Sequence, residues 1–294
     1  MLMSQSQPTA SELTILDHIR SLRRTVFSIV FVILLASSTV HYFKNVVLAF
    51  LLEPLGASAP ELQFLSPLDP LYFILKVDFI LGFLLSLPVI ILLIWLFVAP
   101  ATERRSRLTP IGIIAASSLL GLIAATYAYK LLIPIILNYM SGLVVPGTAL
   151  SFTANGYLDF FLSTTALLIL VFQLPLLIVG LTYAGVIVPD MIAKNRSYIY
   201  LGVVIITAII TPTTDIISLA LIAVPALAVV EFGTMMARIV YARKFGTTKR
   251  SNFGPILASI AIILACLIGL TWLFVSGSAV TLFSSTTPKT TLSQ

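Results

Sequence analysis

The stretch FVAPATERRSR (97–107) ends a long apolar run and begins a short loop that holds one acid and three arginines. The apolar runs on either side of this loop, about 71–98 and about 109–133, are both long enough to span a bilayer as helices. The loop therefore connects two membrane helices at the membrane surface. A solvated ion pair of Glu103 with Arg104 or Arg107 is the simplest interpretation of its charges.

The composition of the whole chain agrees with that arrangement. Of its 294 residues, 59% are hydrophobic and 10% are charged, which is outside the usual balance of a soluble domain. These values predict an all-α, polytopic bundle of transmembrane helices. The single cysteine, Cys266, excludes an intramolecular disulfide. The net charge of +6 comes from short basic clusters beside apolar runs, a pattern that favours a lipid bilayer rather than nucleic acid as partner.

Hydrophobic runs and breakers predict seven helices. Helix 3 is expected to end at Pro134, and helices 5 and 6 are expected to be short, since 14 residues make only about 21 Å of helix. The loop between helices 1 and 2 is predicted at 43–70. The predicted helices are 25–42, 71–98, 109–133, 157–181, 197–210, 216–233 and 255–275.

The same runs predict how the chain is divided. Residues 1–24 form a polar segment with an amphipathic pattern, typical of a helix on the membrane surface. A cleavable signal peptide ending near Ser38 is the alternative, but the apolar run continues to Val40. The remaining predicted parts are a six-helix membrane domain (25–236), a basic linker (237–254), the seventh helix (255–275) and a Ser/Thr-rich tail (276–294).

The distribution of basic residues predicts the orientation. With the N-terminus in the cytoplasm, all but four of the 17 basic residues lie in cytoplasmic segments. Positive residues favour the cytoplasmic side, so the predicted N-terminus is cytoplasmic and the predicted C-terminus is external. The four exceptions are Lys44, Lys76, Lys130 and Lys289.

No pattern in the chain favours catalysis. It has no Walker-type phosphate loop, no G-x-S-x-G elbow and no H-E-x-x-H, and His18 and His41 are predicted on opposite membrane faces. We therefore expect neither an enzyme nor a metal site.

Three polar residues stand out in or beside the apolar runs. Gln173 is interpreted either as bonded to a backbone carbonyl or neighbouring helix, or as a docking point for another subunit. Glu231 is predicted to pair with Arg238, and Asp215 to cap helix 6.

Several motifs in order resemble the TatC family, the multi-spanning receptor component of the twin-arginine translocase. The resemblance covers about 12–235 and includes the aromatic and proline pattern of Tyr127, Tyr129 and Pro134. The other matching motifs are HIRSLR (18–23), SPLDPLYFILKV (66–77), SLPVIILLIWLFVAP (86–100) with ERR (103–105), FQLP (172–175), PDMIAKNRSY (189–198), ITPTTDIIS (210–218) and LIAVPALAVVEFG (221–233).

The resemblance implies a receptor in the prokaryotic plasma membrane that binds twin-arginine signal peptides of folded precursors for export driven by the protonmotive force. It implies TatA/TatB-like single-span partners, a homo-oligomer in the assembled complex and no cofactor. The implied signal-peptide-binding residues are Glu103, Arg104, Arg105, Phe97, Pro100, His18, Ser21, Leu22 and Arg23. Those implied for docking a partner helix are Gln173, Phe172, Pro175, Tyr127 and Tyr129, and those implied to be structural are Pro67, Pro212, Asp215 and Glu231.

The chain also departs from the family pattern. Ser21 stands where the family has an acid, the loop before Glu103 is shorter, and TPTTD (211–215) is longer. The seventh helix is absent from the common six-helix plan. Two other interpretations stay open. A secondary solute transporter predicts repeats and a charged midplane site, neither of which is evident; a TatC-like scaffold without signal-peptide binding is favoured by Ser21.

Overall fold

The computed structural model describes residues 10–55, 62–98, 110–142, 152–210 and 216–245, and these ranges form a bundle of α-helices. Within them no β-strand occurs, and the predicted all-α fold is confirmed. The helices are α1 (Ala10–Tyr42), α2 (Lys44–Leu52), α3 (Asp69–Val98), α4 (Pro110–Tyr127), α5 (Ile133–Gly142), α6 (Ala154–Phe172), α7 (Leu174–Ala184), α8 (Pro189–Lys194), α9 (Arg196–Ile210) and α10 (Ile216–Phe245).

Five helical segments of the described chain are long and apolar enough to cross a bilayer, and one more is apolar but short. The short segment, Arg196–Ile209, is the predicted helix 5. The long segments are Ile19–Tyr42, Asp69–Phe97, Ile111–Met140, Ala154–Ala184 and Ser218–Lys244. They correspond to predicted helices 1 to 4 and 6, whereas the predicted seventh helix (255–275) lies outside the described residues.

Helix 6 is longer than predicted. The predicted short helix 216–233 is wrong, because α10 has 30 residues and continues to Phe245. Its length of about 45 Å exceeds the hydrocarbon core. The polar and basic residues after 233 extend the same helix beyond its apolar part instead of ending it.

Pro134 lies inside a helix rather than at its end, so that prediction is also wrong. A π-helical turn, Ala128–Leu132, precedes it and α5 continues to Gly142. Proline cannot donate a backbone hydrogen bond, and a π turn widens the helix at the point where that bond is missing. The helix 110–142 is therefore continuous across the proline.

The bundle has two ends, which we name by their contents. The α2 end holds α2 and the bridge between Gln63 and Thr153, and the arginine end holds Arg20, Arg23 and Arg24 of α1 together with the C-terminus of α3. The predicted loop 43–70 is not wholly irregular, since it contains α2. Successive long helices run antiparallel to each other. The last turns of α7 and α10 therefore lie at the arginine end.

Tyrosine hydroxyls attach α2 to the bundle. The Tyr157 hydroxyl donates to the Leu51 carbonyl oxygen at 2.7 Å, and the Tyr129 hydroxyl lies 3.0 Å from the Phe50 carbonyl oxygen. The rings of Phe50 and Tyr129 stack with centroids 4.1 Å apart. These contacts satisfy the last carbonyl groups of α2, which have no partner within the helix.

Helices α1 and α3 approach each other closely at Gly82. A Cβ atom at that position would lie 2.6 Å from the Ser37 Cα, so only glycine fits. One helical turn toward the α2 end, His41 Nδ1 lies 2.7 Å from Asp78 Oδ2, and Asp78 is buried. Small residues at a contact let membrane helices pack at short distance, and here they bring the two helices together along their length.

We expect Gly82→Leu to destabilise the bundle by roughly 3 kcal/mol or more, because the new side chain would overlap the α1 backbone. Thermal unfolding of the detergent-solubilised protein measures this as a lower Tm. Gly202→Leu is the matched control, since no atom lies within 4 Å of a Cβ there. Equal Tm values for the two variants would contradict the close packing of α1 on α3.

Candidate functional site

The residues predicted to bind a signal peptide come from two segments, and the structure describes one of them in detail. Ser21, Leu22 and Arg23 are exposed on α1. Only the helical backbone of His18 is described, and Phe97 lies half-buried in the last turn of α3. Pro100, Glu103, Arg104 and Arg105 lie outside the described residues.

The arginine end nevertheless brings these two segments close together. Arg20, Arg23 and Arg24 of α1 line one groove with Val89 and Leu93 of α3. Val98, the last residue of α3, follows Leu93 by about 7.5 Å of helix. The last turn of α3, with Phe97, therefore lies at the same end of the bundle as Ser21, Leu22 and Arg23 of α1.

Gln173 lies at the break between α6 and α7 and is bonded to a neighbouring helix. Its Oε1 accepts a hydrogen bond from the Ser117 hydroxyl at 2.9 Å, and its Nε2 donates to the Ser117 carbonyl oxygen at 3.3 Å. Pro175 cannot donate a backbone hydrogen bond, so the helix restarts there with Pro175 in its first turn. The sequence interpretation of a glutamine bonded to another helix is confirmed.

Two cavities meet at Gln173, which lines both of them. The larger, of about 630 Å³, lies between α3, α4 and α6, and the smaller, of about 340 Å³, lies beside Trp95 and Gly180. An amide has two donor hydrogens and two acceptor lone pairs, and Ser117 uses one donor and one acceptor site of Gln173. The amide can therefore still bond a polar group that enters the larger cavity.

The larger cavity is mostly apolar, and its charged and amide side chains lie at its two ends. Gln173 and Ser117 lie at one end, and Glu53, Tyr129 and Lys130 lie at the α2 end. The Tyr129 hydroxyl donates to the Glu53 carboxylate, and Lys130 Nζ lies 5.4 Å from the centroid of the Tyr129 ring. Such a shape fits an apolar helix that carries one polar side chain within its span.

The other residues predicted to dock a partner helix pack inside the bundle. Phe172 is buried in the core cluster with Leu168 and Leu221. The Tyr127 hydroxyl donates to the Leu221 carbonyl oxygen at 2.9 Å, which joins α4 to α10. Pro175 is buried against Gly233, and a Cβ atom at Gly233 would lie 2.7 Å from the Cα of Pro175.

Glu231 is buried near the arginine end, but its partner is not the predicted one. Its carboxylate accepts a hydrogen bond from the Tyr200 hydroxyl and lies 3.3 Å from Arg196 Nη2. Arg238 instead lies 3.9 Å from Asp190, so the predicted Glu231–Arg238 pair is wrong. Arg196 and Glu231 are 35 positions apart in the chain, which explains why sequence spacing missed this ion pair.

The residues predicted to be structural are only partly described. Pro67 lies in the turn before α3, where the Asp69 carboxylate accepts hydrogen bonds from the backbone N–H groups of Leu65 and Ser66 at 2.9 and 3.0 Å. Pro212 and Asp215 lie outside the described residues.

Besides the Arg196–Glu231 pair, sequence reasoning missed several contacts, among them Ser117 with Gln173, Tyr129 with Glu53, and His41 with Asp78. The only signal for the first was a pair of serines inside an apolar run, a feature of helix interfaces in membranes. Among the described residues, no group of three or more His, Cys, Asp or Glu side chains could hold a metal ion.

Comparison with known proteins gives the chain a family. The family model for Sec-independent protein translocase protein (TatC) matches residues 17–225. The chain is 29% identical over 232 residues to the TatC protein of Aquifex aeolicus, covering 78% of this chain and 96% of that relative. It is 26% identical over 227 residues to TatC of Escherichia coli K12, covering 76% and 88% respectively.

The fold leads to the same relatives. A crystal structure described as the twin arginine translocase receptor TatC superposes with a TM-score of 0.65 and 30% identity. The superposition covers 76% of this chain and 99% of that chain. Agreement of the family model, the relatives and the fold over most of the bundle leaves one conclusion: the chain belongs to the TatC family of Sec-independent protein translocase proteins.

Proposed function

We propose that this chain binds the twin-arginine signal peptides of folded precursor proteins, as the receptor subunit of its translocase. The observation that carries the proposal is the likeness to a solved twin arginine translocase receptor over 76% of the chain. Binding rather than catalysis is the role proposed. The transport itself is driven by the protonmotive force.

Glu103 is the acid proposed to bind the signal peptide. A carboxylate accepts two parallel hydrogen bonds from one guanidinium, a geometry suited to arginine and not to lysine. Arg20, Arg23 and Arg24 at the arginine end repel a cationic peptide, and no acid lines their groove among the described residues. Since Ser21 replaces the family's acid, Glu103 supplies the attraction.

We expect Glu103→Gln to weaken binding of a twin-arginine peptide by about 10- to 100-fold, because hydrogen bonds to charged groups contribute about 1.5–3 kcal/mol. The Kd for a fluorescent peptide and the full-length protein in nanodiscs measures this. Glu61→Gln is the control, since it removes the same charge from another loop.

The peptide with two lysines in place of the arginines separates the possible outcomes. Wild-type protein that binds both peptides equally would show that Ser21 has relaxed the specificity. Wild-type protein that binds neither would favour a scaffold that has lost signal-peptide binding. Equal Kd values for wild type and Glu103→Gln would overturn the role of Glu103.

We further propose that the larger cavity docks the helix of a TatA/TatB-like single-span partner. Gln173 lines the cavity and has one donor hydrogen and one acceptor lone pair beyond those that Ser117 uses, and the walls between Gln173 and the α2 end are mostly apolar. Gly121 has no side chain to fill this space, and a Cβ atom there would lie 3.6 Å from Gln173 Nε2, an ordinary contact distance. The short α9, with exposed Leu201 and Ile205, offers a second apolar surface.

Gln173→Leu should weaken association with such a partner by about 5- to 30-fold, because one hydrogen bond between membrane helices contributes about 1–2 kcal/mol. Gly121→Leu should weaken it by filling the cavity while leaving the amide in place. Ser118→Ala, in the same cavity, is the control. Co-purification with the partner from detergent-solubilised membranes measures all three. Full partner recovery with both Gln173→Leu and Gly121→Leu would rule out docking in this cavity.

The setting of both interactions is the prokaryotic plasma membrane, with the N-terminus cytoplasmic, the C-terminus external and a homo-oligomer in the assembled complex. The arginine end then faces the cytoplasm, where precursors are made. Among the described residues, Lys194, Arg196, Arg238, Arg243 and Lys244 fall on that side as well, which agrees with the tendency of positive residues to stay inside.

A further inference from the structure

A groove between α1 and α3 at the arginine end combines positive charge with an apolar wall. Its volume is about 860 Å³. Arg20, Arg23 and Arg24 line the part near the start of α1, which we call its upper part. Its lower part, further along α1, is lined by Phe27, Ser28, Phe31, Val32, Val89 and Leu93.

The groove runs along α1 from charged to apolar residues, in the direction in which a lipid lies in a membrane. Arg20, Arg24, Phe27 and Phe31 follow one face of α1 at helical spacing, so the charges lie above the rings along the membrane normal. Arg20 and Phe31 are about 16 Å apart along the helix. The apolar span begins at Ile19, which puts the guanidinium groups at the interface and the rings in the hydrocarbon.

The charge of the groove selects its occupant. Three guanidinium groups line it, and among the described residues no acid does. The structure describes the helical backbone at Glu12 and Asp17, earlier in α1, but not their side chains. Arg20 has another contact, so Arg23 and Arg24 carry the argument. Arginine forks bind phosphate oxygens in pairs, whereas a cationic peptide or a choline headgroup would be repelled.

We propose that this groove binds one anionic phospholipid. Its phosphate contacts Arg23 and Arg24 and one acyl chain lies between Phe31 of α1 and Val89 and Leu93 of α3. The rings of Phe27 and Phe31 are 69% and 67% exposed, so the chain enters from the side that faces the bilayer. This inference is independent of the proposed receptor function, since it needs neither Glu103 nor a signal peptide.

Native mass spectrometry of the full-length protein tests it. The protein is mixed with equal amounts of phosphatidylglycerol and phosphatidylcholine, and the lipids that stay bound are counted. Wild type should retain one phosphatidylglycerol in preference to phosphatidylcholine. The double variant Arg23→Gln/Arg24→Gln should lower that preference by on the order of 30-fold, since each arginine near a membrane surface contributes about a fivefold attraction.

The matched control is Lys194→Gln/Arg243→Gln. It removes the same charge from exposed positions outside the groove and should leave the preference unchanged. An equal loss in both double variants would show general attraction of anionic lipid by net charge and overturn the site. Equal retention of the two lipids by wild type would overturn it as well.

A wall variant and free phosphate complete the test. Val89→Trp fills the lower groove and leaves the arginines in place, so it should displace the lipid. Retention of phosphatidylglycerol by a folded Val89→Trp protein, with an unchanged Tm, would place the lipid outside the groove. Inorganic phosphate at millimolar concentration should not displace the lipid; displacement would show a site for the free anion instead.

Discussion

Hydrogen bonds from buried side chains to other helices hold this bundle together where no water is available. The hydroxyls of Tyr127 and Tyr157 donate to backbone carbonyl oxygens on distant segments, and Gln173 and Ser117 bond each other. An unpaired polar group in a bilayer costs several kcal/mol, so each of these residues constrains which helices can be neighbours. The packing of α4 against α6 and α10, and the position of α2, follow from these bonds.

The same constraint gives the two ends of the bundle different characters. At the α2 end several ionisable side chains have partners of opposite type, as in Lys76 with Asp159 at 2.7 Å and His41 with Asp78. At the arginine end, α1 presents a row of guanidinium groups to a groove that no described acid lines. The arginine end therefore attracts anions. A cationic peptide that binds there depends for its attraction on the acid of the loop after α3.

Much of the fold could be predicted, because apolar runs of sufficient length cross a bilayer as helices whatever surrounds them. Six of the predicted helices are present in the described chain, and helix 5 is short as expected. Helix ends were less predictable. Pro134 does not end a helix, because a π turn accommodates it, and α10 continues past its apolar part. These outcomes depend on local geometry and packing rather than on hydrophobicity.

The sequence by itself determined the class of the protein, the approximate positions of the spans in the described chain and the motif order of its family. Only the tertiary structure decided which partners the polar residues take. Glu231 contacts Arg196 and not Arg238, and α1 and α3 together form a groove that neither segment suggests alone. The physical reason is that hydrophobic length is a property of one segment, whereas an ion pair, a cavity or a groove exists only once two distant segments are packed side by side.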